Sequence, residues 1–150
     1  MADVPHLKYT RMVLAEAMRL YPPAWVIGRQ AVAGDWIGDY RIAAGAQVFA
    51  SQWVMHRYPT HWERPHEFVP TRIDETHPLY RKPPRYAYFP FGGGPRLCIG
   101  EHFAWMEGVL LIATLAQRFR FQSSSEIPVT PQPLITLRPQ AGLPVTLLPR

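Results

Sequence analysis

The chain has 150 residues, sixteen Lys and Arg against eleven Asp and Glu, a net charge of +5, and one cysteine, Cys98. A single cysteine excludes an intrachain disulfide and any multi-cysteine zinc or iron–sulfur site, and no apolar run approaches the roughly 20 residues that cross a bilayer. The basic excess suits an acidic partner, but no basic helix or aromatic-interleaved motif accompanies it, so nucleic-acid binding is not expected.

Pro5 suits a helix start, and Leu7, Val13, Leu14, Ala17, Met18 and Leu20 form an apolar stripe ending before Pro22-Pro23, which predicts a first helix. On it Glu16 and Arg19 stand three apart and share a face. An isolated pair of this kind is ordinarily solvated and contributes a few tenths of a kcal/mol. The neighbours Leu14, Ala15, Ala17, Met18 and Leu20 are small or apolar, which predicts partial burial, and a buried guanidinium with its five donors needs a further partner. Ala24 to Val32 and Trp36 to Ile42 read as strands around an Ala33-Gly34-Asp35 turn, Gln47 to Ala50 as another strand, and Ser51 to His56 as a short helical stretch. From Tyr58 to Pro90 prolines, arginines and aromatics occur with little periodicity, which predicts a long ordered meander. His56, His61 and His66 are evenly spaced, but five-residue steps do not share a helical face and Pro59 and Pro65 interrupt any helix. They are read as surface or hydrogen-bonded histidines, not as zinc ligands.

Phe91-Gly92-Gly93-Gly94-Pro95-Arg96-Leu97-Cys98-Ile99-Gly100 then places the lone cysteine on a glycine-rich loop before a helical pattern from about Glu101 to Arg118, with Phe103, Met106, Leu110, Ala113 and Ala116 near helical spacing. First-turn N–H groups and loop amides favour a thiolate at such a position. Successive glycines admit a flat, bulky partner, Phe91 offers a ring beside it, and haem is such a partner with cysteine thiolate among its axial ligands. The ordinary fate of a lone cysteine is to be a small buried hydrophobe. The loop is neither a P-loop nor a dinucleotide fingerprint, since no Gly-Lys-Ser/Thr follows and Leu97 stands where the third glycine belongs. Phe119 to Phe121, Leu134 to Leu137 and Val145 to Leu148 read as closing strands, the last two joined by Arg138 to Gly142.

Phe91, Gly94, Arg96, Cys98 and Gly100 fill every fixed position of the pattern Phe-x-x-Gly-x-Arg-x-Cys-x-Gly, and Glu16 and Arg19 supply a Glu-x-x-Arg helix upstream. In both respects, and in the order of elements across essentially all of its residues, the chain resembles the cytochrome P450 family of haem-thiolate monooxygenases. The resemblance implies a mainly α fold with small β-sheets (α+β). It spans the C-terminal part of the family fold, from the Glu-x-x-Arg helix through the cysteine-ligand loop and the following helix, so residues 1–150 are one partial domain. It implies haem b, iron protoporphyrin IX, with Cys98 as axial ligand and Arg96 and Arg29 on the propionates. Arginine suits that task because its planar fork binds carboxylates bidentately. Phe91, Gly94 and Gly100 would complete the cofactor loop, and Arg72, in Phe68-Val69-Pro70-Thr71-Arg72-Ile73, would join Glu16 and Arg19 in a structural triad. The family usually has glutamate and phenylalanine where Thr71 and Ile73 stand, a departure that leaves the arginine in place.

Ala24, Val26 and Ile135 match positions that line the family's substrate cavity, which implies a small hydrophobic substrate. The implied reaction inserts one atom of O2 into a C–H bond, with electrons from NAD(P)H through a flavoprotein reductase or a ferredoxin-type donor. Arg81, Lys82, Arg85, Arg118 and Arg120 would form the basic face for that donor. The family's long distal helix would lie before residue 1, so the chain holds the proximal half of the site and is expected to be inactive alone. A cytoplasmic location is the expectation, since no secretory leader is visible, while membrane-bound members of the family carry an anchor far upstream. Two alternatives stand beside this reading: a non-catalytic remnant, and a basic interaction module without haem.

Overall fold

The computed structural model describes residues 4–77, 80, 82–124 and 126–150. Helices carry the packed interior, and strands pair only two by two around it, an α+β arrangement. A 3-10 turn over Val4–His6, containing Pro5, leads into helix α1 (Lys8–Leu20). The helix stops because Pro22 offers no N–H to continue it, and the last bond is from the Tyr21 N–H to the Ala17 carbonyl at 2.7 Å.

The face that α1 buries is Ala15, Glu16, Arg19 and Leu20. Of the expected apolar stripe only Leu20 is buried, while Leu7, Val13, Leu14, Ala17 and Met18 remain partly exposed. The reason is the hydrogen-bonding demand of the two charges. Both Glu16 and Arg19 are 0% exposed, so the expectation of partial burial fell short. Arg19 Nε donates to Glu16 Oε2 at 2.8 Å and Nη2 to Oε1 at 2.8 Å, while the remaining donors reach the carbonyls of His56 (2.7 Å), Pro65 (2.8 Å) and Glu67 (3.0 Å). Arg72 sits on a 3-10 turn, Pro70–Ile73, and its Nε donates to Glu16 Oε1 at 2.9 Å. Its other nitrogens hold the carbonyls of Glu63, Arg64 and Glu67. The Val69 N–H also donates to Glu16 Oε1, at 2.9 Å. One carboxylate and two guanidiniums therefore organise the irregular segment from His56 to Arg72.

Helix α2 (Gln52–Met55) is a single turn capped by Ser51, whose Oγ accepts from the Val54 N–H at 3.3 Å and donates to the Trp25 carbonyl at 3.2 Å. Helix α3 (Glu101–Arg118) packs on α1 where Gly108 meets Leu14, so closely that a Cβ at residue 108 would lie 2.6 Å from Leu14 Cδ2. Arg11 adds a guanidinium 4.4 Å from the Trp105 ring centre. The inward face is thus Trp105, Gly108, Val109 and Ile112, with Val109 buried. The expected stripe is corrected: Phe103, Met106, Leu110 and Ala116 are exposed and Ala113 is half-buried. The helix is apolar on more than one side, and only the glycine lets α1 approach closely.

Strands β1 (Ile27–Gln30), β2 (Asp35–Ile37), β3 (Tyr40–Ile42) and β4 (Gln47–Ala50) form two antiparallel pairs, β1 with β4 and β2 with β3. Trp36 to Ile42 is therefore a hairpin, not the single strand expected, because Gly38 takes φ +58° and reverses the chain. Strand β5 (Phe119–Ser123) pairs with β8 (Val145–Pro149), and β6 (Pro131–Pro133) with β7 (Leu137–Pro139). Leu134 to Thr136, expected within a strand, is the tip between β6 and β7. Strand β8 leaves that hairpin and returns to the end of α3, where the Arg150 N–H donates to the Arg118 carbonyl at 3.0 Å.

The interior lies between α1, α2 and the segment before the cysteine loop: Ala15, Leu20, Trp62, Ala87 and Phe89 with Glu16, Arg19, Gln52 and His56. Replacing Arg19 by Lys keeps the charge but cannot serve five acceptors at once. Breaking a buried pair costs about 3 kcal/mol or more, so Arg19→Lys should lower the unfolding free energy measured by urea denaturation by about that much, while the exposed Arg64→Lys should leave it unchanged.

Candidate functional site: the cysteine loop and its supports

The loop between the buried Phe89 and α3 is built from successive tight turns. The Gly92 N–H donates to the Phe89 carbonyl (2.9 Å), the Leu97 N–H to the Gly94 carbonyl (3.0 Å) and the Cys98 N–H to the Phe91 carbonyl (3.0 Å). A short 3-10 turn, Gly94–Arg96, carries Pro95. Gly94 takes φ +67°, which an L side chain rarely adopts. Gly93 serves a different end from the one expected of it. A Cβ there would fall 2.6 Å from Tyr86 Cε1, so its missing side chain makes room for that ring and does not leave an open face. Gly100 is the N-cap of α3, and the Glu101 N–H donates back to the Cys98 carbonyl at 3.3 Å. Phe91 packs on Trp105 of α3, with ring centres 5.9 Å apart.

Cys98 is exposed, as are Leu97, Ile99 and Arg96, with Ile99 at 103%. A Cβ on Gly100 would come within 3.8 Å of the Cys98 sulfur. Arg96 makes no ion pair among the described residues. The nearby acid, Glu101, accepts from Trp105 Nε1 at 3.4 Å. Arg29 lies on β1 opposite Val48, exposed, with Nη1 donating to the Gly28 carbonyl at 2.8 Å.

Ala24 and Ile135 are exposed, the latter at 99%, and Val26 is half-buried. Two bonds bring their distant segments together: Trp25 Nε1 donates to the Leu134 carbonyl at 2.8 Å and the Leu137 N–H to the Pro23 carbonyl at 2.9 Å. Lys82, Arg85, Arg118 and Arg120 are exposed, Arg85 lying 4.8 Å from the Tyr86 ring centre. Arg81 lies outside the described residues.

Two supports of the loop were not visible in the sequence. Tyr88 donates its hydroxyl to the Ala15 carbonyl at 3.0 Å. Burial first, and then the Glu16 carboxylate, push its pKa well above the ordinary phenol. His56 is 0% exposed, and its Nε2 accepts the Phe89 N–H at 2.9 Å. Burial lowers its pKa from 6.5 to about 4, assisted by the positive charges of Arg19 and Arg57 and opposed by backbone hydrogen bonds. The one available signal was that Gln52 and His56 stand four apart on a short helix, a spacing that puts two polar side chains on one face.

The arrangement as a whole presents Cys98 beside exposed Leu97 and Ile99, with a buried ionic centre behind the loop. The family model for cytochrome P450 matches residues 1–145. The chain is 40% identical over 151 residues to Protein LUTEIN DEFICIENT 5, chloroplastic, of Arabidopsis thaliana, covering 99% of this chain and 25% of that protein. It is 38% identical over 149 residues to cyclooctatin synthase of Streptomyces melanosporofaciens, covering 99% and 31% respectively. It is 36% identical over 122 residues to tabersonine 3-oxygenase of Catharanthus roseus, covering 80% and 24%. The chain therefore belongs to the cytochrome P450 family, and it spans about a quarter to a third of the length of these relatives.

Haem is the cofactor that membership implies, and the loop fits it. Cys98, a soft sulfur donor, is exposed, and the flanking Leu97 and Ile99 offer uncovered apolar surface.

Two outcomes follow from this geometry. Gly94→Ala forces a left-handed backbone on an L residue at about 1–2 kcal/mol, and haem titration should show weaker retention with the far-ultraviolet spectrum unchanged. Because the folded pKa of His56 lies below its unfolded value, the neutral ring stabilises the fold above pH 6.5, and this contribution is lost as pH falls towards about 4. Urea midpoints across that window should fall less steeply in His56→Gln than in the unaltered chain.

Proposed function

We propose that this chain is the proximal, haem-binding part of a cytochrome P450 monooxygenase, with residues 1–150 forming one partial domain and Cys98 as the residue whose sulfur would hold the haem iron. The observation that carries the reading is the exposed Cys98 sulfur, held by the Cys98 N–H bond to the Phe91 carbonyl at the start of α3. When bound, haem supplies reductive activation of O2 and transfer of one oxygen atom to a substrate C–H bond. The protein's part is to hold and orient. The Phe91 carbonyl and the Glu101 N–H pin the backbone on both sides of the sulfur, Phe91 leans on Trp105, Gly94 supplies the left-handed backbone of the turn and Gly100 starts α3.

Arg96 and Arg29, neither ion-paired among the described residues, are the propionate partners in this reading. A charge-assisted hydrogen bond contributes about 1.5–3 kcal/mol, so Arg96→Gln should raise the haem dissociation constant about tenfold or more. Ala24, Val26 and Ile135 would face a small hydrophobic substrate, a proposal supported by the bonds joining Trp25 to Leu134 and Leu137 to Pro23. The relative named as a tabersonine 3-oxygenase supports oxidation of an organic molecule. Electrons would come from NAD(P)H through a flavoprotein reductase or ferredoxin-type donor, seated on a surface with Lys82, Arg85, Arg118 and Arg120. A cytoplasmic location is part of the proposal.

The test is a reduced carbon-monoxide difference spectrum of the haem-loaded protein beside Cys98→Ala. A Soret band near 450 nm, the hallmark of the family, should appear and vanish in the variant. A band that persists without the sulfur would overturn Cys98 as ligand, and its absence from both proteins would favour the non-catalytic remnant.

A further inference from the structure

We infer that His56 is a positioning residue for the cysteine loop: its neutral ring, accepting the Phe89 N–H, ties the loop to the buried carboxylate–guanidinium centre. The connection is a chain of hydrogen bonds. Arg19 Nη1 donates to the His56 carbonyl at 2.7 Å, the Phe89 N–H to His56 Nε2 at 2.9 Å, the Gly92 N–H to the Phe89 carbonyl at 2.9 Å, and the Cys98 N–H to the Phe91 carbonyl at 3.0 Å. His56 is thus gripped at its backbone by one end of the molecule and grips the other with its ring.

The ring has little freedom to do otherwise. Its centre lies 5.1 Å from that of Tyr88, and Phe89 meets it edge-on at 5.3 Å. A backbone N–H can be accepted only by an unprotonated nitrogen, so the proton of the neutral ring must sit on Nδ1. Nδ1 makes no hydrogen bond of good geometry among the described residues, but the backbone of Met18 and Arg19 lies close enough to favour a proton on it, and Oε1 and Nε2 of Gln52, one turn earlier, are buried and unbonded as well.

The charged and titratable groups around the ring favour the same state. Arg19 from α1 and Arg57, just after α2, both oppose a second proton on the ring, Glu16 is neutralised by Arg19 and Arg72, and Tyr88 keeps its proton on a bond to Ala15. A cationic ring would lose its acceptor and release the N–H of Phe89, the last buried residue before the glycine turns.

The consequence for ligation by Cys98 rests on the haem reading above, but the tie itself does not, and the experiment separates the two. Nitrogen-15 histidine spectra of the ferrous carbon-monoxide protein at pH 7, with the His56 signal assigned by its loss in His56→Gln, should show the neutral Nδ1–H tautomer. A protonated Nε2, in a cation or in the other tautomer, would overturn the inference. Hydrogen–deuterium exchange should then rise about tenfold across residues 89–98 in His56→Phe, which keeps a ring and loses the acceptor, as expected when a buried hydrogen bond is left unmade. Exchange across residues 8–20 should stay within about twofold, the value set by the helix's own bonds. His56→Gln, whose side-chain oxygen reaches about as far as Nε2, should restore most of the protection. If His56→Phe does not accumulate, His56→Asn, which reaches only the Nδ1 position, takes its place with the same expected rise. Equal protection of residues 89–98 in all variants would sink the inference whether or not a 450-nm band is present. A protected loop in a protein lacking that band would instead count against the haem reading alone.

Discussion

The irregular segment from His56 to Arg72 is organised around one carboxylate. Glu16 accepts from Arg19 twice, from Arg72 and from the Val69 N–H, and the two arginines pass that anchoring on to the carbonyls of His56, Glu63, Arg64, Pro65 and Glu67. A buried ion pair is a weak source of stability, because desolvation offsets much of its attraction. Its value here is specification. An irregular segment has no ladder of its own, its carbonyls must find donors before they can be buried, and a guanidinium offers five in one plane.

From that centre order runs outward along two routes to the cysteine loop. One passes through the His56 ring to the Phe89 amide, the other through the Tyr88 hydroxyl to the Ala15 carbonyl. Both end immediately before the glycine turns, so the loop that exposes Cys98 is hydrogen-bonded to the interior at its root. Helix α3 closes the arrangement from the far side through Gly108 against Leu14 and Phe91 against Trp105. The paired strands contribute little to this core. Two-stranded ladders are marginal by themselves, and these are fastened by single contacts such as Trp25 to Leu134.

The residue pattern was most legible where chemistry demands a fixed spacing. Glu16 and Arg19, three apart, had to meet on a helix face, and Arg72 reached them across 56 positions. The extent of α3 and the placing of β4 were also readable, because Gly100 and Gly45 punctuate the chain just before them. Spacing was a poorer guide to which side of a helix faces inward. Apolar residues on α1 and α3 outnumber the buried positions, and charge satisfaction on one helix and a missing Cβ on the other made the choice.

The class of protein was legible in the residues only as a resemblance, carried by Phe91, Gly94, Arg96, Cys98 and Gly100 and by Glu16 and Arg19, whose spacings are local constraints of backbone conformation and side-chain reach. Tertiary structure alone decided that Trp36 to Ile42 is a hairpin, that β8 pairs with β5, that Trp25 meets Leu134 and that His56 supports Phe89. The physical reason is that each of these joins groups whose partners lie far apart in the chain or are chosen by burial. Neither periodicity nor residue type carries that information, because a buried donor takes whichever acceptor the packed fold brings within about 3 Å.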